Sequence, residues 1–217
     1  WYRKSLAIEE KLGDEHGAAG TYHQLGIVAQ VRRDFAGAEA WYRKSLAIEE
    51  KLGDEHGAAS TYHQLGTVAQ VRRDFVAAEA WYRKSLAIDE KLGDEHGAAK
   101  TYHELGRVAE ERGDFAGAEA WYRKSLAIDE KLGDEHGAAM TYGQLGILAA
   151  LQAHFVESGQ WLIKAIPIFH RANDPRAVRQ TVDNFLVSYQ RAPAADKTKL
   201  EALWKEAGLG PMPTPGP

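Results

Sequence analysis

The chain has 217 residues, with 27 lysines and arginines against 31 aspartates and glutamates, and a formal net charge of −4 at pH 7. This balance lacks the basic excess needed to bind a nucleic-acid phosphate backbone, so we expect no nucleic-acid partner. Cysteine is absent, which excludes disulfides and thiolate metal sites and is compatible with a cytoplasmic location, which we predict. No apolar run approaches the roughly 18 residues of a membrane span, so we expect no membrane partner.

The first predicted element is a helix from Trp1 to Gly13, which has the sequence of the second helix of a two-helix unit. The chain starts at this helix and has no initiating Met, so we expect a fragment of a longer array. The apolar side of this helix would then lie open. We expect such a face to join another copy of the chain and form a homo-oligomer.

A unit of forty residues organises the sequence. Residues 1–40 differ from residues 41–80 at only four positions. A fixed period of about 20 to 50 residues is typical of solenoids, in which each unit buries its apolar face only by stacking on its neighbours. The units begin at five tryptophans: Trp1, Trp41, Trp81, Trp121 and Trp161.

Each unit predicts two helices, which we call helix A and helix B. Helix A is expected from about Glu55 to Arg72 after an N-cap at Asp54, because its apolar residues recur every three or four positions. Helix B is expected after an N-cap at Asp34 and before a left-handed Gly53. The apolar stripe of helix A contains Ala58, Tyr62, Leu65 and Ala69, and that of helix B contains Phe35, Ala38, Tyr42, Ser45, Leu46 and Leu52.

A motif runs from one helix A into the next helix B: Tyr62-x-x-Leu65-Gly66-x-x-Ala69, Asp74-Phe75, Ala78-x-x-x-Tyr82 and Ser85-Leu86. It resembles the tetratricopeptide repeat pattern, with Tyr62, Ala69 and Glu90 where that pattern usually has Trp, Tyr and Pro. The longer period is similar to the repeats of kinesin light chains, spindle-orientation adaptors and arrays on bacterial signalling ATPases. Over about residues 1–190, the resemblance implies an all-α, right-handed α-solenoid whose concave groove binds a peptide or protein segment.

The units differ from one another mainly along one face of helix A, at offsets that lie within about 60° of each other on a helix. The exposed face of helix B, with Arg43 and Lys44, scarcely changes. The resemblance implies that the variable face lines the concave groove, and neutral drift on a solvent face is the alternative. The predicted peptide-binding residues are Gly20, His23, Gln24, Ile27, Val31, Ser60, His63, Gln64, Thr67, Val71, Lys100, His103, Glu104, Arg107, Glu111, Met140, Gln144, Ile147 and Leu151.

The predicted face changes character along the chain. Its third unit carries alternating charges, of which Glu104 and Arg107 are three residues apart, whereas Ile147 and Leu151 of the fourth unit are apolar. We therefore expect a partner segment with apolar ends and charges near its middle. A solvated set of salt bridges is the alternative for the charged unit.

Histidines recur in the turn before helix A, as at His56, and again seven residues later, as at His63. Two helical turns separate such a pair by about 10.5 Å, whereas zinc requires nitrogen ligands at about 2.0–2.1 Å, so we predict neither a metal site nor a cofactor. His23, His63 and His103 are expected to be structural or, alternatively, to form a ladder that protonates near pH 6.5. Gly143 interrupts that ladder.

Adjacent carboxylates such as Glu49 and Glu50 point about 100° apart on a helix, so they do not converge as acid–base catalysis requires. The sequence also has no phosphate-binding glycine loop and no nucleophile motif. We predict no catalytic residue and a protein that is not an enzyme.

The regular pattern decays after Leu148, and all seven prolines follow residue 166. Pro167 is expected to kink or break the fifth helix B. Asp174 and Pro175 have the N-cap and first-turn positions that begin a helix, so the last helix A is expected there.

A final helix from about Ala195 to Ala207 is expected to cap the stack. The remaining sequence, GLGPMPTPGP, has too few apolar residues to pack and indicates a polyproline-like end, with docking in a neighbouring groove as the alternative. The predicted domains are a repeat array at 1–172, a terminal repeat helix with the capping helix at 173–207, and a Pro-rich tail at 208–217.

Three functional interpretations follow. The first is a non-catalytic protein-interaction scaffold that binds a partner in the concave groove. The second is a structural module that associates with itself through the open first helix. The third is the sensor arm of a larger signalling ATPase whose other domains are absent from this chain.

Overall fold

The computed structural model describes residues 1–213, so the last four residues of the predicted tail lie outside the described part. Within residues 1–213 the chain forms eleven α-helices and no strand, which confirms the all-α prediction. The helices are α1 (Tyr2–Leu12), α2 (Glu15–Val31), α3 (Phe35–Leu52), α4 (Glu55–Val71), α5 (Phe75–Leu92), α6 (Glu95–Glu111), α7 (Phe115–Leu132), α8 (Glu135–Leu151), α9 (Phe155–Arg171), α10 (Pro175–Arg191) and α11 (Ala194–Glu206).

The predicted caps are present at both ends of the helices. Asp54 precedes α4, and its Oδ1 accepts a hydrogen bond from the backbone N–H of Gly57 at 2.9 Å. Gly53 ends α3 in the left-handed region, at φ 69°. Asp34 caps α3 in the same way as Asp54 caps α4. Repeated caps therefore explain why the helices begin and end at a constant spacing.

The helices fall into two compact units, each of which is larger than a forty-residue repeat. Helices α1 to α6 lie in the unit Trp1–Arg112, and α7 to α11 lie in the unit that begins at Gly113. We number them unit 1 and unit 2. In each of them, helices that follow one another in sequence pack together. The helices α2, α4, α6, α8 and α10 are A helices, and α1, α3, α5, α7 and α9 are B helices. The predicted boundaries at residues 172 and 207 stay a prediction.

Aromatic side chains hold the A and B helices of unit 1 together. The rings of Tyr62 and Trp81 stack with centroids 5.6 Å apart, and the Nζ of Lys84 lies 4.8 Å from the centre of the Trp81 ring. Tyr82 is fully buried, and its ring lies against the backbone of Gly66. Trp81 therefore packs between helices, and Gly66 leaves room for the ring of Tyr82.

The predicted capping helix is present as α11, which packs against α9 and α10. Leu200 and Trp204 of α11 join Phe185 in the buried cluster of unit 2. Leu209 and Met212 also pack against this cluster, and the Nε1 of Trp204 donates a hydrogen bond to the backbone oxygen of residue 210 at 3.0 Å. The prediction that this segment has too few apolar residues to pack was therefore wrong at Leu209 and Met212.

Pro167 does not break the fifth helix B. Helix α9 continues through Pro167 to Arg171. Pro167 itself is exposed, whereas Leu162, Ile166 and Phe169 of the same helix are buried. The prediction of a break was wrong because packing on the buried side keeps the helix together despite one missing backbone donor.

Candidate functional site

The predicted binding residues of unit 1 lie on α2, α4 and α6, at different degrees of exposure. His103 is buried, and at 7% exposure it offers little surface to a partner. The partly buried residues are His23, Ile27, His63, Gln64, Thr67 and Glu104. The exposed residues are Gly20, Gln24, Val31, Ser60, Val71, Lys100, Arg107 and Glu111.

Two histidines of this face link successive A helices. The Nδ1 of His23 lies 2.9 Å from Oγ1 of Thr61, and the Nδ1 of His63 lies 3.2 Å from Oγ1 of Thr101. The ring of His63 also meets the ring of Tyr82 edge to face, with centroids 5.2 Å apart. These contacts favour the structural interpretation of the histidines.

Burial also changes how the histidines titrate. It lowers the pKa of His63 to about 4, and the nearby charge of Lys100 lowers it further in the same direction. Burial, with a smaller effect of Arg107, lowers the pKa of His103 to about 4. These two histidines therefore do not form a ladder that protonates near pH 6.5, because each charged imidazolium would lose its hydration.

The charged part of the face is partly neutralised within the protein. Arg107 Nη1 lies 3.1 Å from Oε2 of Glu104. Burial raises the pKa of Glu104, and the charge of Arg107 opposes this effect. Glu111 accepts a hydrogen bond at 2.8 Å from Nε2 of Gln70 on the neighbouring A helix. The Glu104–Arg107 pair therefore agrees with the alternative interpretation, a face neutralised by salt bridges. Glu111 instead links α6 to α4.

A buried polar cluster lies below the face and was not predicted. The hydroxyl oxygen of Ser45 lies 2.7 Å from the backbone oxygen of Ala19 and 2.8 Å from Oε1 of Glu49, within hydrogen-bond distance of both. Thr61 donates to the same carboxylate oxygen at 3.1 Å. Glu49 is 5% exposed, and burial raises its pKa. Its Oε2 has no hydrogen-bond partner among residues 1–213. The signal in the sequence was a serine four residues before the acid and a threonine twelve residues after it.

Unit 1 has a pocket of about 310 Å³ between α4 and α6. Asp89 lies among its lining residues, which also include Ser60, His63, Gln64 and Lys100. Burial raises the pKa of Asp89 as it does that of Glu49. The predicted binding residues of two successive A helices therefore meet at one polar pocket.

Unit 2 has a pocket at the equivalent place, between α8 and α10, with a volume of about 360 Å³. Three predicted binding residues, Met140, Gln144 and Ile147, line it. The fourth predicted residue of this helix, Leu151, is 49% exposed near the end of α8. The sequence showed Gly143 only as the break in the histidine ladder, but this glycine lines the pocket as well.

Among residues 1–213, no three histidines, aspartates or glutamates are grouped so that they would hold a metal ion. In the same part of the chain, no helix has the length and apolar character needed to cross a membrane.

A family model described as tetratricopeptide repeat matches residues 17–91, 57–131 and 97–171. The chain belongs to the tetratricopeptide repeat family. Proteins of this family are typically scaffolds for protein–protein interaction. No curated protein matches the sequence.

Solved structures of other proteins share this fold. BtubC (BKLC) from P. vanneervenii is 22% identical, and the match covers 100% of this chain and 92% of that one with a TM-score of 0.78. A putative kinesin light chain from Podosopora anserina with nearly identical repeats is 18% identical, with coverages of 87% and 92% and a TM-score of 0.67. The expected similarity to kinesin-light-chain repeats is thus confirmed at the level of fold.

A signal transduction ATPase with numerous domains from Pyrococcus horikoshii, which has a tetratricopeptide repeat sensor, is 19% identical with a TM-score of 0.77. The match covers 88% of this chain but only 30% of that protein. Since identity at this level shows the fold alone, the sensor-arm interpretation stays a prediction.

Proposed function

We propose that this tetratricopeptide repeat chain is a non-catalytic cytoplasmic scaffold that binds a peptide or protein segment along the predicted face of its A helices. The observation that carries the proposal is the coincidence of the variable residues with open pockets between successive A helices, one in each compact unit. Pockets of roughly 300 to 1,000 Å³ with a few polar groups are the usual form of binding sites. The proposal includes neither a nucleic-acid nor a membrane partner.

The constancy of the B helices has a structural cause of its own. Arg43 pairs with Glu39 at 2.9 Å and lies 5.4 Å from the centre of the Trp81 ring. Lys44 lies over Trp41 and Tyr22 in the same manner. Because these contacts restrict change on helix B, the contrast between the two faces supports the proposal less strongly than the pockets do.

Peptides selected from a random 12-residue library on the full chain provide the probe for this function. Arg107→Ala should weaken their binding by about three- to tenfold, because it removes a charged group from the proposed face. Arg83→Ala on α5 is the matched control, since Arg83 also pairs with an acid of its own helix, Glu79 at 2.6 Å. Equal loss in both variants, or loss only in Arg83→Ala, would contradict the proposal.

A second candidate function is self-association through α1 and its N-cap Trp1, because large apolar side chains are exposed there. Trp1, Ile8 and Leu12 are 106%, 59% and 75% exposed. We propose that the occupant of this surface is a second copy of the chain, since burying such a patch is favourable. Light scattering should then show a dimer that Ile8→Glu dissociates and that Val76→Glu, at another exposed apolar position, leaves intact. A monomer at all concentrations would exclude it.

A further inference from the structure

The pocket between α8 and α10 differs from its counterpart between α4 and α6 in the chemistry of its lining. Gly143, at a repeat offset of eighty residues, takes the place of His63, and Phe169 takes the place of Asp89. Met140 likewise replaces Ser60. Three positions that hold polar side chains in the first pocket therefore hold a glycine and two apolar side chains in the second.

Gly143 leaves space in this pocket that a histidine side chain occupies in its counterpart. A Cβ at Gly143 would meet no other heavy atom of the described residues, 1–213, within 4 Å. Where α2 and α4 carry a histidine, its Nδ1 contacts the threonine of the next A helix. Here that threonine is Thr181, and its hydroxyl donates to the backbone oxygen of Ala177 at 2.8 Å. A space about the size of one imidazole ring is therefore open to a ligand beside Gly143.

Apolar side chains form part of the walls of this space, beside the polar side chains of Gln144, Gln180 and Asn184. Phe169 is 5% exposed, and the ring of His136 lies edge to face with it at 5.7 Å between centroids. Met140 is 47% exposed, and Ile147 lines the pocket from the same helix. Such walls favour an apolar side chain over a charged one.

The rim of the pocket adds a charge preference. Arg176 is the one lysine or arginine among the described lining residues, and it forms no ion pair within residues 1–213. Asp174 also lines the pocket, but its Oδ1 already accepts a hydrogen bond from the backbone N–H of Ala177 at 2.9 Å. An acidic group of a ligand would therefore find a partner in Arg176.

We propose that the pocket between α8 and α10 binds a large apolar side chain of a partner peptide that carries an acidic residue next to it. This inference rests on the proposed function of the A-helix face and names the chemistry that one of its pockets selects. It also assigns Gly143 as the residue that determines this selectivity.

Methionine methyl resonances give a direct test, because the chain has two methionines. Met140 lies in the pocket, and Met212 packs against the α9–α11 cluster. Titration of the ¹³C-methyl-labelled full chain with the peptide GSEFEGS should shift the Met140 signal and leave the Met212 signal in place. The peptides GSEAEGS and GSKFKGS, which lack the apolar or the acidic group, should bind at least about tenfold more weakly.

Two variants at one position separate a blocked pocket from a damaged fold. Gly143→His restores the histidine that the first three forty-residue repeats carry at this position. It should reduce GSEFEGS affinity by about ten- to a hundredfold without lowering Tm. Gly143→Ala adds only a Cβ in open space and should retain binding within about threefold. Equal binding by wild type and Gly143→His would overturn the assignment, as would a Met140 signal that no peptide moves.

Library-selected peptides distinguish the two proposals from each other. If they bind and respond to Arg107→Ala but leave the Met140 signal unchanged, the A-helix face stands as the binding face and the pocket assignment is wrong. If no selected peptide binds the chain, both proposals are wrong.

Discussion

A Cβ placed on Gly66 would lie 2.6 Å from Cε1 of the Tyr82 ring. Tyr82 has no freedom to move away, because it is fully buried and its hydroxyl donates to Oε1 of Gln70 at 3.0 Å. Gly66→Ala should therefore lower the free energy of unfolding by about 1–3 kcal/mol through overpacking. Urea denaturation followed by circular dichroism measures this change.

Gly20→Ala is the matched control for that substitution. Gly20 also lies inside an A helix, but a Cβ there would meet no other heavy atom within 4 Å in the part of the chain that the structure describes. This change should raise the free energy of unfolding by about 0.5–1 kcal/mol through helix propensity. A stabilising Gly66→Ala would show that the interface around Tyr82 is looser than the structure indicates.

The titration of His63 predicts a loss of stability in mild acid. Its pKa of about 4 in the folded chain lies below the ordinary value of 6.5, so the unfolded chain binds more protons between these values. The free energy of unfolding should therefore fall as the pH is lowered from about 6.5 to 4. His63→Asn, which keeps a donor near Thr101, should reduce this loss by about 1–2 kcal/mol at pH 5.

Denaturation of His63→Asn and wild type at pH 7 and pH 5 gives the measurement, with Gln24→Asn as a substitution that cannot titrate. Glu49 and Asp89 have raised pKa values and act in the opposite direction, but they are common to all three proteins. Identical losses in wild type and His63→Asn would mean that His63 is not desolvated.

The position of Pro167 inside a helix predicts that its replacement stabilises the chain. It lies inside α9, where its nitrogen cannot donate to the carbonyl four residues earlier, and its exposure means that little packing depends on it. Pro167→Ala should raise the free energy of unfolding by about 1–3 kcal/mol. Pro175→Ala, at the first turn of α10, should change it by less than about 0.5 kcal/mol because no backbone bond is missing there. Equal effects at both sites would contradict this account of α9.

Arg73 has a left-handed backbone, at φ 62°, in the turn between α4 and α5. Gly113 has φ 79° at the position forty residues later. Because a non-glycine residue is disfavoured there by about 1–2 kcal/mol, Arg73→Gly should be stabilising by up to about 1 kcal/mol after loss of the contact of Arg73 with the Phe75 ring at 5.6 Å. Thermal denaturation tests this, and Arg72→Gly, at φ −78°, should instead destabilise the chain.

The sequence predicted those features that depend on near neighbours in the chain. The cap at Asp54, the left-handed Gly53 and the apolar stripes all act within one or two helical turns, so their spacing is readable directly. The positive φ of Arg73 was not predicted, because arginine carries no local signal for that conformation.

Features that depend on distant residues were predicted less well. His63 and Thr101 are 38 positions apart, so their contact and the resulting low pKa required the packing of α4 on α6. The role of Gly143 in the pocket was not predicted for the same reason, because the pocket also needs Phe169 of another helix. The packed end of the chain was missed because Leu209 and Met212 form too small a cluster to give a periodic pattern.

We expect a partner segment to lie on the A helices. Photo-cross-linking tests it most directly: a library-selected peptide that carries one benzoylphenylalanine is irradiated with the full chain, and the modified residues are mapped by mass spectrometry. We predict cross-links to α2, α4, α6, α8 or α10, at residues such as Gln64, Arg107 and Met140. Cross-links confined to the exposed face of the B helices, around Arg43 and Lys84, would contradict the claim.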